Sequence, residues 1–268
     1  MLSVLAISGA LLLIAAQPGA PGAVETVREG GTFKIVFHAT SGLDYVDPAL
    51  TSSAAGWAVL DTTCARLFAY PDKPPPKAYH FVPEVAAGPP RISRDRKTYT
   101  FTLRNDFRFN DGTPVRASAF ARAIHRTLAP EINSPTLSPG AQHTRDILGA
   151  ADVLSGKRNT AKGVVARGNK LIIKFVRPAP DFLHRTTTTF LCAVPPTLPS
   201  DPEGVSKFPA AGPYYVAQFR PGERVILRRN RFYRGKRPHH VDGFDIDLRA
   251  VTPQEVVTAL IRGDVGDD

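Results

Sequence analysis

Between Lys97 and Arg104 the side chains of Tyr99, Phe101 and Leu103 fall at every second position, with Thr98, Thr100 and Thr102 between them. Successive side chains of an extended chain point to opposite faces, so this segment predicts a strand with one buried and one polar face. Such a strand needs partners in a sheet and a second layer over its apolar side. The alternation returns with Phe33, Ile35 and Phe37 in residues 31–38, with Leu171, Ile173 and Phe175 in residues 170–176, and with Phe244, Ile246 and Leu248. Three hairpins are predicted where two segments flank turn residues. Residues 92–94 reach the Lys97 strand across Asp95-Arg96, 164–166 reach 170–176 across Arg167-Gly168-Asn169, and 214–219 reach 224–228 across Arg220-Pro221-Gly222-Glu223.

Helical spacing is the second periodicity. Phe120, Ile124 and Leu128 mark one face of a helix over about 117–128, and Trp57, Leu60, Cys64, Leu67 and Phe68 mark another within residues 53–70, ending before Pro71. Thr252-Pro253-Gln254-Glu255 combines a capping Thr, a Pro at the first helical position and a Glu three residues after the cap, which starts a helix. Val256, Val257, Leu260 and Ile261 are its expected buried side and Gly263 its C-terminal cap. Residues 129–163 are poorly patterned and predict loop with one short helix near 144–154. The fold class is mixed α/β. Because an amphipathic helix so close to Asp268 calls for a further layer, the chain is expected to be a fragment.

A hydrophobic content of 43% in 268 residues argues against disorder, and 25 prolines and 21 glycines without a period imply many turns. The net charge of +10 invites a nucleic-acid reading, but the densest basic run, 228–237, is broken by Asn230, Phe232, Tyr233 and Gly235. A solvated surface is the expectation, with no nucleic-acid partner. Residues 2–16 are almost wholly apolar and small residues follow to Ala23, so residues 1–23 read as a secretory signal lacking its usual cationic start. No cysteine follows to carry a lipid. Cys64 and Cys192 therefore sit in an exported chain, either as one disulfide or as two buried thiols, and neither has a partner at metal-ligand spacing.

Enzyme motifs are missing from the sequence: there is no nucleophile elbow, no phosphate loop and no zinc-protease helix. His239 and His240 are adjacent and would point to opposite faces of a strand, which disfavours joint metal ligation. Asp242, Asp245 and Asp247 lack calcium-loop spacing and are expected to face solvent. Arg262-Gly263-Asp264 spells an adhesion tripeptide that a helix-end glycine already explains.

Four motifs occur in a telling order: Leu43-Asp44 with Asp47-Pro48-Ala49; the run from Tyr99 through Arg104 to Asn110-Asp111-Gly112-Thr113-Pro114; Gly212-Pro213-Tyr214 with Pro221-Gly222-Glu223 and the stretch from Arg229-Asn230 to Tyr233, Gly235 and Pro238; and Ala259-Leu260 with Gly263-Asp264-Val265. Together they resemble solute-binding protein family 5, the dipeptide, oligopeptide and nickel-complex binders of bacterial ABC importers. Ala210 and Ala211 stand where that family usually has Gly and Thr.

The resemblance implies a periplasmic-binding-protein-like type II architecture of two lobes, with the second lobe largely missing. It divides the chain into a first-lobe core subdomain of residues 24–72 and 193–251, an inserted subdomain of residues 73–192, and the start of a crossing at 252–268. It implies an extracytoplasmic monomer that captures oligopeptides or related small solutes for ABC-transporter permease subunits, with no catalysis, no metal and no cofactor. The competing readings are a secreted surface interaction protein and a hydrolase. Ala39, Thr40, Ser41, Asp44, Tyr45 and Trp57 are the candidate ligand-binding residues, the loop 39–44 offering backbone groups to an extended peptide. Asp44 is read either as a partner for a ligand amine or as a turn residue, and Trp57 either as a ligand-packing ring or as core.

Overall fold

A computed structural model describes residues 29–36, 42–133, 136–249, 252–263 and 265–267. In chain order the elements are β1 (Thr32–Val36), α1 (Ala54–Thr63), β2 (Phe68–Ala69), β3 (Val82–Pro83), β4 (Arg91–Ile92), β5 (Thr98–Thr102), α2 (Ala117–Leu128), α3 (Pro139–Gln142), α4 (Ala150–Leu154), β6 (Val164–Arg167), β7 (Lys170–Lys174), α5 (Phe182–Arg185), β8 (Tyr214–Arg220), β9 (Arg224–Arg229), β10 (Gly243–Asp247), α6 (Pro253–Ile261) and β11 (Gly266–Asp267). The signal-like segment 1–23 lies outside the described residues.

Two larger sheets carry the fold. In the four-stranded one, ordered β4-β5-β7-β6, all neighbours are antiparallel and Tyr99 faces Ile173 as Phe101 faces Leu171. These four side chains are buried under α2, whose Phe120, Ile124 and Leu128 point inward, and under α5. Phe182 of α5 meets the rings of Tyr99, Phe101 and Phe175 edge-on at 5.2, 6.1 and 4.7 Å. The Tyr99 hydroxyl, sunk in this apolar layer, donates to the Ala179 carbonyl at 2.6 Å.

The five-stranded sheet is ordered β11-β1-β10-β9-β8, with β1 parallel to β10 and every other pair antiparallel. Its inner face brings Ile35, Phe244, Ile246, Val225, Leu227 and Val216 onto Val46 and onto Val59 of α1. Its outer face is charged, and Arg224 pairs there with Asp245 across β9 and β10.

Polar side chains from the sequence motifs join the two sheets. Asn110 receives the Ala210 amide on its side-chain oxygen at 2.8 Å and sends its own amide to the Ala210 carbonyl at 2.9 Å. The buried Asn230 donates to the Gly212 carbonyl at 3.0 Å. The Gly112 turn has φ +87°, open to glycine without strain, and Asp111 accepts from the Thr113 amide at 2.8 Å. Glu84 is buried and accepts from Tyr233 Oη at 2.9 Å, Arg237 Nε at 2.8 Å and the Arg66 amide at 2.8 Å. Burial, followed by the charge of Glu84, pushes the Tyr233 hydroxyl up to about 12, so it remains a donor. Arg237 also donates to the carbonyls of Asp61 and Cys64. Part of the basic run 228–237 is therefore turned inward rather than presented as a patch.

Some expectations are corrected. The apolar spacing over 53–70 does not continue one helix: α1 ends at Thr63, and Phe68–Ala69 pairs with Val82–Pro83 as a two-stranded ribbon. The backbone around Arg66 and Leu67 is engaged by the amides of 84–86, which a continuing helix would forbid. The expected strand over 31–38 is described to Val36, and Phe37 and His38 lie outside the described residues. The capping box of α6 forms as expected, yet Val257, Leu260 and Ile261 are exposed rather than buried, because no described element covers that face. Asp245 and Asp247 are half-buried and paired with Arg224 and Arg249, whereas Asp242 is exposed and meets Arg229. His240 meets Glu29 at 2.7 Å.

Cys64 and Cys192 are joined by a disulfide, with Cα atoms 5.5 Å apart and a separation of 128 positions in the chain. It fastens the end of α1 to the segment following α5. Reduction, or the double substitution Cys64→Ser with Cys192→Ser, is expected to lower unfolding free energy by about 2–5 kcal/mol. Urea titrations with and without reductant measure it.

Candidate functional site

The loop that leaves the C-terminal end of β1 is the natural place to look for a site, since ligands of α/β sheets bind beyond the carboxyl ends of the strands. Ala39, Thr40 and Ser41 lie outside the described residues; Asp44, Tyr45 and Trp57 are within them.

Asp44 is the hub of the described part. Its carboxylate accepts from the amides of Tyr45 at 2.7 Å, Ser52 at 2.6 Å and Ser53 at 3.0 Å. It also accepts from the hydroxyls of Thr51 at 2.7 Å, Ser52 at 3.0 Å and Ser53 at 2.7 Å. Burial pushes its pKa up, but the hydrogen bonds from Ser52, Thr51, Ser53 and Tyr45 outweigh that and hold it at about 2. The carboxylate thus closes residues 44–53 into a compact turn. Ser53 then caps α1, its hydroxyl accepting the Gly56 amide at 3.0 Å. Gly56 is required here because a Cβ would lie 2.0 Å from Thr51 Oγ1 and 2.8 Å from Asp44 Oδ1.

Asp47 fixes the other side of the loop. Its side chain is fully buried and forms a bidentate pair with Arg126 of α2, at 2.7 and 2.6 Å. It also accepts the amides of Ala49 and Val205, both at 2.9 Å, and Arg126 Nε donates to the Pro199 carbonyl at 2.7 Å. Ala49 and Leu50 consequently pack on Ala129 and Ile132, just after α2. There Asn133 donates to the carbonyls of Thr127 and Ala129 at 2.9 and 2.8 Å and accepts the Ser138 amide at 2.9 Å. Two loops from distant parts of the chain therefore sit side by side. The second falls in the stretch that lacked a pattern, and neither Arg126 nor Asn133 was a candidate.

Trp57 is not in the core: it is 46% exposed and points away from the buried Val59 and Leu60 side of α1. Its indole N–H donates to the Thr51 carbonyl at 3.3 Å. The ring borders a cavity of about 480 Å³ together with Asp61, Arg66, Thr188, His143 and Phe190, the last two stacked at 5.3 Å. Tyr45 is half-buried over Gly204, where a Cβ would come within 2.9 Å of its ring. Asp44, Tyr45 and Trp57 thus share one neighbourhood around the N-terminus of α1.

Comparison with known proteins follows from this geometry. The family described as bacterial extracellular solute-binding proteins, family 5 Middle, matches residues 80–267. The periplasmic oligopeptide-binding protein OppA of Escherichia coli (strain K12) is 30% identical over 155 residues, which is 53% of this chain and 27% of that protein. The oligopeptide-binding protein OppA of Lactococcus lactis subsp. lactis (strain IL1403) is 26% identical over 191 residues, 65% of this chain and 30% of that protein. Among solved structures, the clavulanic acid biosynthesis oligopeptide binding protein 2 superposes with TM-score 0.71 at 24% identity, covering 89% of this chain and 43% of that one. Haemophilus influenzae OppA in complex with RPPGFSPFR gives 0.70 at 22% identity, covering 89% and 46%. The fold is that of type II solute-binding proteins. This chain spans 27–30% of the length of these curated relatives.

Asp44→Ala is expected to cost about 1–3 kcal/mol, as a cap and several buried donors lose their acceptor. The depressed pKa of Asp44 means that its contribution is complete above its ordinary value of 3.8 and is lost as pH falls towards about 2. Acid unfolding followed by circular dichroism should accordingly show a shallower loss of stability below pH 4 in Asp44→Asn than in the parent.

Proposed function

Because the chain belongs to the bacterial extracellular solute-binding proteins, family 5, we propose that it forms one wall of the solute site in the binding component of an ABC importer, with oligopeptides as the solute class. The observation that carries this reading is the packing of the loop 42–53 against the residues that follow α2, Ala129 and Ile132, held by the Asp47–Arg126 pair. Support for peptide comes from the relatives, both named as oligopeptide-binding proteins.

In this reading the loop 39–44 offers backbone donors and acceptors to an extended peptide, Tyr45 and Trp57 supply flanking rings, and Asp44 sets the shape of the turn that follows. Residues 24–72 and 193–251 act as one subdomain and 73–192 as an insertion beside it, with 252–268 beginning the crossing to a second lobe. The protein works as a monomer outside the cytoplasmic membrane, exported through residues 1–23, and hands its solute to permease subunits without chemical change. Among the described residues no helix is long and apolar enough to cross a membrane.

A single wall buries too little of a ligand to hold it. Calorimetry of the 268-residue chain with tri- to pentapeptides should therefore give dissociation constants weaker than about 1 mM, and micromolar binding would contradict the one-wall reading. Deletion of the whole gene should abolish growth on oligopeptides as sole nitrogen source; unimpaired growth with only an adhesion defect would favour a surface interaction protein instead.

A further inference from the structure

Outside loops 42–53 and 133–138, the outer side of α2 faces a second cavity, of about 430 Å³, bordered by Arg122, His125, Glu131, Arg158, Asn159 and Ser200. Its polar groups are mostly donors, and they are incompletely used. Arg122 is half-buried; its Nε donates to the Leu198 carbonyl at 2.6 Å and one terminal nitrogen to Ser200 Oγ at 3.2 Å. Among the described residues no carboxylate forms an ion pair with its guanidinium, and its remaining N–H groups have no protein acceptor. His125 is the second such group. Its side chain borders the cavity, while its Nε2 is withdrawn from solvent and has no hydrogen-bond partner among the described residues, so that atom is not a contact for a ligand in the cavity. Burial, followed by the charge of Arg122, pulls the His125 pKa down to about 4, so at neutral pH the ring is uncharged and carries one N–H.

The remaining groups fit the same role. Ser200 accepts from Arg122, which leaves its own hydroxyl hydrogen free to donate. Arg158 stands 3.9 Å from Asp152, too far for a direct hydrogen bond, and its side chain is half-exposed at the rim. Asn159 adds an amide, and Glu131 is the one acidic side chain on the border, itself exposed. Donors thus converge on one space from α2, from the segment after α4 and from the segment at 198–200. Several single donors in different directions suit a tetrahedral oxyanion better than a planar carboxylate, which a single guanidinium would satisfy in bidentate fashion.

We propose that this cavity binds a phosphate-class oxyanion, held by Arg122, Ser200 and Arg158, with the uncharged His125 on its border. The site is separate from the wall proposed above, since among the described residues none in loops 42–53 and 133–138 borders it. The source is either a soluble phosphate ester or the headgroup of an anionic lipid, which share this chemistry.

The test is a titration of the full chain with inorganic phosphate, glycerol 1-phosphate and phosphatidylglycerol vesicles at constant ionic strength, with acetate as the control anion. The readout is the imidazole Cε1–H resonance of His125, a residue that borders the cavity. Phosphate is expected to shift it saturably with a dissociation constant of about 1 mM or tighter, and acetate is not. Arg158→Gln, on a side chain that packs little, should weaken binding about threefold to tenfold, and Arg122→Gln by about tenfold or more. A thermal melt checks that Arg122→Gln still folds; should it not, Arg158→Gln alone decides. A shift with both soluble phosphates assigns soluble esters as the source, and a shift with vesicles alone assigns a lipid headgroup. No saturable shift with any of the three probes, or affinities unchanged in Arg158→Gln, would overturn the proposal.

Discussion

The pairing of Asp47 with Arg126 is the contact on which the arrangement of this molecule turns. Both side chains are withdrawn from water, 0% and 1% exposed, a position that neither charge tolerates without the other. Each is also completed by main-chain groups: Asp47 by the amides of Ala49 and Val205, Arg126 by the Pro199 carbonyl. One pair thereby sets three segments against one another, the loop after β1, helix α2 and the stretch 199–205. A hydrophobic contact in the same place would be as stabilising but would tolerate sliding, whereas a bidentate pair with three main-chain partners admits a single registration.

The Glu84 cluster does for the other end of α1 what Asp44 does for its beginning. Glu84 collects Tyr233, Arg237 and the Arg66 amide, and Arg237 reaches on to the carbonyls of Asp61 and Cys64, where the helix has run out of internal donors. The disulfide begins at that same Cys64. Helix α1 is therefore clamped at both termini, by Asp44 and Ser53 at one end and by Arg237 and Cys192 at the other. The motif residues Asn230, Tyr233 and Gly112, which look like mere turn punctuation in the sequence, lie along these links between sheets.

Much of this architecture was legible in the sequence, and the reason is locality. Alternation over a few residues gave β5, β7 and β10, helical spacing gave α2, and the Thr252–Glu255 capping box gave the start of α6, because each signal is contained within one element. The misreadings share the opposite property. Leu67 and Phe68 keep helical spacing after Thr63, but the decision to leave the helix is made by pairing with residues 82–86, far along the chain. Trp57 fell on the apolar stripe by counting, yet the helix is rotated so that Val59 and Leu60 face inward. Asp47 and Arg126 are 79 residues apart, and nothing in either neighbourhood announces the other. The role of Asn133 was invisible because it rests on one side chain bonding to main-chain groups rather than on any apolar period.

The same distinction bears on how a wall of this kind would recognise a solute. Asp44 spends its carboxylate on the turn that contains it, so the loop's conformation is set before any ligand arrives, and ligand binding would not have to supply the cost of ordering it. With its pKa held at about 2, the turn keeps that shape across the whole range above pH 4. Consumed internally, the Asp44 carboxylate is no fixed charge for a ligand. Under the proposed function peptide pairing would rest on main-chain groups outside this turn, which read an extended backbone without reading its side chains. Breadth of peptide choice would then follow from a structural carboxylate, while any preference among peptides would have to come from elsewhere around the site.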